Sequence, residues 1–358
     1  TITTEWKVMV SKSTSKYIGV IGAGSFGTAV ANILAEKNQN VLLYARTPGK
    51  AASINETRTC NGYPIHDHIE ATDDLEKVGK SCDVIFPIVP SANFREMMKD
   101  LSPYLKPYHI LIHGTKGFDL NVNRDKIDDQ NPLTREHVRT MSEVIKEESS
   151  VVRVGCLAGP NLAREISEKK PAATVVASHF DEVIRVGQTL LRNERFLIYG
   201  SNDLIGIELC GILKNIIAVG AGTIAGLGLG ENAKALFISR GLVEMVQIGK
   251  ALGGNAQAFL SLAGVGDLMA TSYSSLSRNF TVGNRLAHGE DIKAIIDSME
   301  EVAEGVKTID IINELARTYR VRVPITETLH RIISNEMSVD DAHRYLMKFP
   351  FRAEIDME

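Results

Sequence analysis

The sequence predicts an α/β fold in which a doubly wound parallel sheet is followed by an all-α C-terminal domain. Three observations support this prediction. Short apolar runs alternate with helical patterns up to about Gly200, which is typical of a parallel sheet covered by helices. A glycine-rich turn follows the first apolar run and precedes the first helical pattern. Beyond about Ser201, nearly every segment as far as Lys348 follows the helical period.

The glycine-rich turn is Gly22-Ala23-Gly24-Ser25-Phe26-Gly27, and its context predicts a dinucleotide site of the Rossmann type. Gly22 permits the tight turn, Gly24 leaves room for the pyrophosphate, and Gly27 lets the helix pack on the strand. The N–H groups at the start of the helix would face the anion. Ser25 and Phe26 are expected to line the cleft in which the dinucleotide binds. A glycine-rich turn with no ligand is the alternative interpretation.

The first half of the chain divides into predicted strands and the helices that connect them. The predicted strands are residues 17–21, 41–45, 84–88, 109–113, 151–156 and 173–177. The predicted helices are residues 25–37, 92–101, 134–146, 162–168 and 181–192. The polar stretch 121–132 is predicted to be a surface insertion. In such a sheet, ligands bind beyond the carboxyl ends of the strands.

The length of 358 residues is large for one hydrophobic core, so two domains are expected. Residues 1–16 are polar and rich in Ser, Thr and Lys, and we interpret them as a disordered lead or a cloning remnant rather than a signal peptide. Residues 17–200 are predicted to form the dinucleotide-binding domain, and residues 201–358 the all-α substrate-binding domain. A substrate would meet the cofactor in the cleft between them.

The choice between NAD and NADP depends on the end of the second predicted strand. An acidic residue at that point would bind the ribose 2′-hydroxyl of NAD. This chain has Tyr44-Ala45-Arg46-Thr47 instead, and Arg46 can stack on adenine and tolerate or bind a 2′-phosphate. We therefore expect NADP to be at least accepted, with Arg46 and Thr47 at the cofactor. An ordinary surface arginine is the alternative.

The charge balance and the cysteines exclude several classes of function. The formal net charge of −4 argues against binding of nucleic acids or anionic membranes, so local cations must hold any anionic ligand. Residues 204–230 are apolar enough for a membrane span, but Glu208, Lys214, Asn215 and several glycines favour a buried helix. The four cysteines lack metal-ligand spacing, so we expect buried free thiols in a reducing compartment and no metal site.

Lys214 is the most informative residue outside the glycine-rich turn. It is the sole basic group between residues 204 and 230, in a segment that is apolar on nearly every face. A desolvated lysine has a lowered pKa and can exchange a proton with a hydroxyl or carbonyl group. The alternative is a lysine whose ammonium reaches water while its stem packs. The amide of Asn215, next to it, could bind a polar substrate.

Further candidate residues lie in loops and helix starts. Lys116 lies between glycines after a predicted strand, where it can reach cofactor and substrate, or it is a solvated loop lysine. The turn Ala158-Gly159-Pro160-Asn161 opens a helix whose N–H groups suit an anion or carbonyl, although a plain helix start is equally simple. In the helical half, Asp267 could hold a lysine and Arg278 could grip a phosphate, although each by itself is more often a helix cap or part of a surface ion pair. The histidines form neither a triad nor a metal cage, and we assign them no catalytic role.

These motifs, in their order, resemble those of NAD(P)-dependent glycerol-3-phosphate dehydrogenases, most closely the bacterial form, from about Tyr17 to Arg344. The motifs are Gly22-Ala23-Gly24-Ser25-Phe26-Gly27-Thr28-Ala29, His113-Gly114-Thr115-Lys116-Gly117, Leu157-Ala158-Gly159-Pro160, Leu213-Lys214-Asn215-Ile216-Ile217-Ala218-Val219, Gly264-Val265-Gly266-Asp267-Leu268, Ser277-Arg278-Asn279-Phe280-Thr281-Val282-Gly283 and Glu304-Gly305-Val306. The resemblance implies interconversion of sn-glycerol 3-phosphate and dihydroxyacetone phosphate with NAD or NADP. It also implies a cytoplasmic enzyme that supplies phospholipid synthesis, and a homodimer.

The resemblance further implies a role for individual residues. Lys214 would exchange the proton at the C2 oxygen, with Lys116 and Asp267 completing the catalytic group. The cofactor would contact Gly22, Gly24, Ser25, Phe26, Gly27, Arg46, Thr47, Lys116, Ala163, Arg278, Val302 and Glu304. The substrate would contact Lys116, Gly159, Asn161, Lys214, Asn215, Asp267, Ser277, Arg278 and Asn279. Asn161 stands where the family usually has serine.

Two other functions remain open on the sequence alone. A related two-domain dehydrogenase acting on a hydroxy or keto acid would leave Arg278 and Asn279 with no phosphate to grip. A non-catalytic dinucleotide sensor would not need Lys116 or Lys214. The protonation of Lys214 is also open, because Asp267 would raise its pKa while burial and Lys116 would lower it.

Overall fold

The computed structural model describes residues 16–128, 130–299 and 301–348. Most of the predicted N-terminal lead, residues 1–15, lies outside the described residues. The strands are Tyr17–Ile21 (β1), Val41–Tyr44 (β2), Thr59–Cys60 (β3), Tyr63–Pro64 (β4), Ile69–Thr72 (β5), Cys82–Pro87 (β6), Ile110–His113 (β7), Asp119–Leu120 (β8), Val138–Arg139 (β9), Arg153–Ala158 (β10), Ala172–Ser178 (β11) and Phe196–Ser201 (β12).

The α-helices cover the sheet and then form the second half of the chain. They are Ser25–Ala35 (α1), Pro48–Thr57 (α2), Leu75–Ser81 (α3), Ser91–Leu101 (α4), Met141–Glu148 (α5), Ala163–Ser167 (α6), Asp181–Leu191 (α7), Leu204–Gly226 (α8), Glu231–Ala251 (α9), Ala256–Phe259 (α10), Asp267–Tyr273 (α11), Arg278–Ala287 (α12), Ile292–Asp297 (α13), Glu304–Tyr319 (α14), Pro324–Ile333 (α15) and Val339–Lys348 (α16). A π-helical segment, Leu262–Gly266, runs directly into α11.

Eight of the strands in the described residues form one sheet in the order β12-β11-β10-β7-β6-β1-β2-β5. The pairs from β10 to β5 are parallel, with Ile21 of β1 opposite Tyr44 of β2. Successive residues of β1 point to opposite faces of the sheet. Val20 belongs to one hydrophobic cluster and Ile21 to a different one. The predicted Rossmann-type α/β fold is therefore confirmed.

The sheet departs from the prediction of uniformly parallel strands at one point. Strand β11 runs antiparallel to β10, and β12 then runs parallel to β11. The connection from β10 to β11 contains only the five-residue helix α6, and an antiparallel step does not need a full crossover. Strands β5 and β12, which lie at the two edges of the sheet, were not predicted from the sequence.

The predicted helix 134–146 is wrong in its first half. Residues 135–137 form a 3-10 turn, Val138 pairs with Leu120, and the α-helix begins only at Met141. The capping box formed by Thr140 and Glu143 fixes this start. Farther upstream, the stretch 121–132 is mostly exposed where described, as predicted, although Val122 and Ile127 pack on the helical core.

Helix α8 is the centre of the helical half. It is long and apolar enough to cross a membrane, but 94% of its most apolar window is buried within the protein. The prediction of a buried helix is thus confirmed. The four cysteines are buried free thiols, as expected. The last main strand ends at Ser201 and α8 begins at Leu204, and the division into domains near residue 200 stays a prediction.

Candidate active site

A cleft of about 470 Å³ opens where the carboxyl ends of β1, β6, β7 and β10 face the helical half. Of the predicted site residues, it is lined by Gly24, Ser25, Phe26, Gly27, Lys116, Asn161, Ala163, Lys214, Asn215, Ser277, Arg278, Asn279, Val302 and Glu304. Residues that lie far apart in the sequence therefore share one cleft. Gly22, Arg46, Thr47, Gly159 and Asp267 are not in its lining, and their positions are described below.

The glycine-rich turn has a different steric reason for each of its glycines. Gly22 has a positive φ of 116°, and a side chain there would collide with the carbonyl oxygen of Ile88. A Cβ on Gly27 would lie 1.9 Å from the carbonyl oxygen of Gly22, so α1 could not pack this closely on the turn. A Cβ on Gly24 would meet no atom within 4 Å. Gly24 therefore faces open space at the start of α1, where a pyrophosphate can approach the helix N-terminus.

Asp267 connects the two lysines. The Lys214 Nζ donates to Asp267 Oδ1 over 2.6 Å, and the Lys116 Nζ donates to Asp267 Oδ2 over 2.6 Å. Lys116 comes from the loop after β7 and Lys214 from the middle of α8, while Asp267 is the first residue of α11. Asp267 is only 2% exposed, so it acts on the cleft through the two ammonium groups.

Thr271 was missed by the sequence analysis. Its hydroxyl accepts a hydrogen bond from the Lys214 Nζ and donates to Asp267 Oδ1 over 3.2 Å. Asp267 and Thr271 are four residues apart on α11, a spacing that places both on one helix face. That spacing was the available signal, but nothing in the sequence shows that this face meets Lys214.

Burial is the largest of the opposing influences on the protonation of Lys214. Burial lowers the pKa of Lys214 to about 8, against the opposing effect of Asp267, and Lys116 and Arg278 lower it further. Burial pushes the pKa of Asp267 upwards, but the ammonium groups of Lys116 and Lys214 outweigh this effect and hold it below its usual range. The cleft thus contains an ionised carboxylate beside an amine that can lose its proton near neutral pH.

The loop after β10 adds polar groups beside the lysines. The Gly159 carbonyl oxygen accepts from the Lys116 Nζ over 3.2 Å. The Asn161 Nδ2 donates to Thr174 Oγ1 over 2.8 Å, while its buried Oδ1 has no partner among the described residues. Asn161 itself lines the cleft, where its amide stands in place of the hydroxyl that serine would supply.

The segment 301–304, which ends at the first residue of α14, contributes Glu301, Val302 and Glu304 to the lining of the cleft. Glu301 accepts from the Ser25 hydroxyl over 2.7 Å and pairs with Arg278 over 3.2 Å. Glu304 accepts from both the backbone N–H and the hydroxyl of Ser91, at the start of α4. Glu301 was missed by the sequence analysis, since neither contact has a local sequence signal. Its carboxylate lies next to the start of α1, where an anionic ligand is expected.

Helix α12 begins at the substrate side of the cleft. Ser277 caps this helix by accepting from the N–H of Phe280, and the Asn279 Oδ1 accepts from the N–H of Gly305 over 2.9 Å. Arg278, between them, is half exposed. In the apolar helix α8, Asn215 is buried, and its Nδ2 makes long contacts with the carbonyl oxygens of Gly211 and Lys116.

Arg46 and Thr47 are exposed and lie beyond the end of β2, next to the glycine-rich turn rather than inside the cleft. The N–H of Gly22 donates to the carbonyl oxygen of Tyr44 over 3.1 Å, which holds the two loops side by side. Lys50, on α2, donates to the carbonyl oxygen of Ala23 over 2.7 Å. A second cation therefore lies near the position predicted for the adenosine ribose.

Among the described residues, no group of three or more His, Cys, Asp or Glu side chains is placed to hold a metal ion.

Comparison with known proteins assigns the whole described fold to one family. The model of the NAD-dependent glycerol-3-phosphate dehydrogenase N-terminus matches residues 17–184, and that of the C-terminus matches residues 203–344. The chain belongs to this family. A glycerol-3-phosphate dehydrogenase (NAD(P)+) from Saccharophagus degradans is 36% identical over 349 residues, which are 96% of this chain and 93% of that one.

Solved structures agree with the family assignment. The glycerol-3-phosphate dehydrogenase structure from Coxiella burnetii has a TM-score of 0.83 and 30% identity, and the match covers 94% of this chain and 99% of that one. A ketopantoate reductase from Ralstonia eutropha reaches a TM-score of 0.55 at 14% identity, over 91% of this chain and 99% of that one. That second likeness is one of fold alone.

Proposed function

We propose that this member of the glycerol-3-phosphate dehydrogenase family interconverts sn-glycerol 3-phosphate and dihydroxyacetone phosphate with NAD or NADP. The observation that carries the proposal is the buried Lys214, which shares Asp267 with Lys116 beside the open Gly24 of the glycine-rich turn. A dinucleotide site and a proton-exchanging amine thus lie in one cleft. A non-catalytic sensor has no need of such an amine.

The glycine-rich turn and the start of α1 fit the pyrophosphate of a nicotinamide dinucleotide. Gly24 leaves the approach open, and the first N–H groups of α1 have no partners within the helix. Ser25, Phe26 and Ala163 extend this surface along the cleft. When bound, the cofactor accepts or supplies the hydride at the substrate C2.

Lys214 carries the proton that accompanies the hydride. In the reducing direction, its ammonium donates a proton to the C2 oxygen of dihydroxyacetone phosphate as that carbon becomes a carbinol. In the oxidising direction, the neutral amine takes the hydroxyl proton of sn-glycerol 3-phosphate. Asp267 and Thr271 fix the Nζ by accepting its other hydrogen bonds, and Lys116 adds positive charge to polarise the carbonyl.

The remaining polar groups orient the substrate. Arg278 offers a fork of N–H donors to the phosphate once it leaves Glu301. Asn161 lines the cleft and contributes its amide to the substrate side. Asn215, Ser277 and Asn279 close the substrate side, while Val302 and Glu304 close the cofactor side. A small phosphorylated substrate is thereby held by local cations in a protein of net negative charge.

Several wider features belong to the same proposal. The enzyme would act in the cytoplasm, supply glycerol 3-phosphate for phospholipid synthesis and assemble as a homodimer. The glycine-rich turn and Arg46 would belong to a cofactor domain ending near residue 200, and Arg278 to a substrate domain. Their support is the family membership of the chain.

Oxidation of NADPH, followed by its absorbance in the presence of dihydroxyacetone phosphate, tests the proposal directly. The unaltered protein is expected to turn over, and Lys214→Ala to lose about 10² to 10⁴ in kcat because the proton donor is gone. Lys37→Ala is a matched control, since burial also lowers the pKa of Lys37, and its ammonium holds backbone carbonyls outside the cleft. Absence of turnover by the unaltered protein would overturn the proposed function.

A further inference from the structure

A buried polar cluster lies beneath the active-site lysines and takes no direct part in the chemistry. It consists of His113, Thr140, Ser142 and Glu208, and we call it the Glu208 cluster. The Oε1 of Glu208 accepts hydrogen bonds from the His113 Nε2 over 2.8 Å and from the Ser142 N–H over 2.9 Å. Its Oε2 accepts hydrogen bonds from the Thr140 hydroxyl over 3.0 Å and from the Ser142 hydroxyl over 2.5 Å. Both side chains of the His113–Glu208 pair are only 2% exposed.

The carboxylate of Glu208 is held as an acceptor of four hydrogen bonds. Burial by itself would raise the pKa of Glu208, but His113 and the donors of Ser142 outweigh burial and lower it. When one donor is removed, the remaining hydrogen bonds no longer offset the cost of burying this charged carboxylate. His113 lies at the end of β7, whereas Thr140 and Ser142 lie at the start of α5. Their hydrogen bonds to Glu208 therefore oppose movement of β7 relative to α5.

The cluster joins the segments that carry the two lysines. His113 is the last residue of β7 and precedes Lys116 by three positions. Glu208 lies near the start of α8, six residues before Lys214, or about 9 Å along the helix axis. Thr140 and Ser142 tie this junction to the first turn of α5. Nearer the cleft, the contact between the Asn215 Nδ2 and the Lys116 carbonyl is long, at 3.5 Å.

We propose that His113 and Glu208 are positioning residues that hold the Lys116 loop against helix α8, so that Asp267 bridges both lysines. This inference rests on the proposed function, because its readout is the activity of Lys214. The cluster contacts neither cofactor nor substrate, since none of its four residues lines the cleft. Its effect is transmitted through the short chain from His113 to Lys116.

Displacement of Lys116 has a consequence that simple loss of stability does not have. The charged groups that act on Lys214 are Asp267, Lys116 and Arg278. Asp267 raises the pKa of Lys214, whereas Lys116 and Arg278 lower it together with burial. If Lys116 moves away from Asp267, the pKa of Lys214 must rise. Oxidation of sn-glycerol 3-phosphate, which needs the neutral amine, would then require a higher pH.

The test compares two substitutions of His113 in the full chain. His113→Leu removes the donor to Glu208, whereas His113→Gln keeps an N–H donor at a similar reach. We expect His113→Leu to lower kcat by about ten- to a hundred-fold through misplacement of Lys116. The pH of half-maximal oxidation should rise by about half a unit or more. His113→Gln should have a kcat and a pH profile close to those of the unaltered protein.

His109 offers a matched control at the other end of the same strand. It is also fully buried, directly before β7, and its ring bonds the backbone of Gly79 and Lys106. His109→Leu is expected to reduce stability without moving the pH profile. If His113→Leu does not fold, Glu208→Gln takes its place; it keeps the side-chain shape but removes the charge, and the same shift in smaller degree is expected.

The outcomes separate this inference from the proposed function. An active unaltered protein whose His113→Leu variant, or Glu208→Gln in its place, matches His109→Leu in kcat and pH profile would overturn the positioning role alone. Failure of His113→Gln to restore activity lost in His113→Leu would also overturn it. An unaltered protein that does not oxidise sn-glycerol 3-phosphate would overturn the proposed function and the positioning role with it.

Discussion

Asp267 is one carboxylate that binds two ammonium groups. With Lys116 and Lys214 both protonated, the trio carries one net positive charge at the inner end of the cleft. Asp267 therefore does not neutralise the site, and an anionic substrate still meets a favourable field. The trio also shows why Lys214 can be buried, because its Nζ has two acceptors, Asp267 and Thr271.

Cofactor preference depends on the exposed Arg46 in our interpretation. Arg46 follows β2 beside the glycine-rich turn, and no acidic residue occupies residues 44–47. We predict that Arg46→Ala raises the KM for NADPH about tenfold and changes that for NADH less than twofold, since only NADPH has a 2′-phosphate. Arg317→Ala, an exposed arginine on α14, is the control. Equal effects on both cofactors would contradict the role of Arg46.

The sequence predicted much of the site because its chemistry lies in residue identity and local context. Lys116, Lys214 and Arg278 could be singled out, since a lysine in an apolar helix or between glycines is unusual wherever it folds. Thr271 and Glu301 could not be found in the same way. Their roles depend on which helix or loop they meet, and that is determined by packing between segments far apart in the chain.

The loop residues 301–304 act as one element that touches both sides of the cleft. Glu301 accepts a hydrogen bond from Ser25 of the glycine-rich turn and forms an ion pair with Arg278 of α12. Its carboxylate therefore engages the hydroxyl and guanidinium donors that an anionic ligand would use. Glu304 attaches the same loop to Ser91. Binding of cofactor or phosphate must therefore displace Glu301 from at least one of its partners.

We predict that Glu301→Gln lowers the KM for NADPH and for dihydroxyacetone phosphate by about two- to five-fold, because removal of the negative charge releases Arg278 and Ser25. Steady-state kinetics at low ionic strength is the measurement, since screening weakens the effect. Glu290→Gln is the control, as Glu290 also pairs with an arginine, the partly buried Arg285, but lies outside the cleft lining. A higher KM for either ligand would show that Glu301 helps binding.

Element boundaries show where local patterns stop being sufficient. Strand β1 and the start of α1 were predicted well, because an apolar run, glycines and a helical period follow each other directly. The break before α5 was missed, because a strand of two residues, β9, forms by pairing with Leu120 across the polar insertion. The edge strand β12 alternates buried and exposed residues only at Phe196–Tyr199, so its signal was weak.

The stability of the whole molecule depends on another buried carboxylate. Glu244, on α9, accepts from the N–H groups of Ile325 and Thr326 at the start of α15, each over 2.9 Å. Burial raises the pKa of Glu244 to about 7, although the hydrogen bonds of Thr326 and Ile325 oppose this. The folded protein thus binds this proton more tightly than the unfolded chain, in which the pKa has the ordinary value of 4.5.

We predict that the contribution of Glu244 to stability is complete below about pH 4.5 and is lost as the pH rises to about 7. It amounts to about 3 kcal/mol over that window. Thermal or urea unfolding measured at several pH values should show a flatter pH dependence for Glu244→Gln than for the unaltered protein. Glu336→Gln, which changes an exposed carboxylate, should keep the original slope. An unchanged slope in Glu244→Gln would contradict the prediction.

The burial of Lys214 also bears on the pH at which each direction of the reaction is fastest. Reduction starts from the protonated amine and oxidation from the neutral one, so the same group favours opposite directions on either side of its pKa of about 8. A more acidic solution therefore favours the form of Lys214 that begins the formation of glycerol 3-phosphate, and a more alkaline solution favours the form that begins its oxidation.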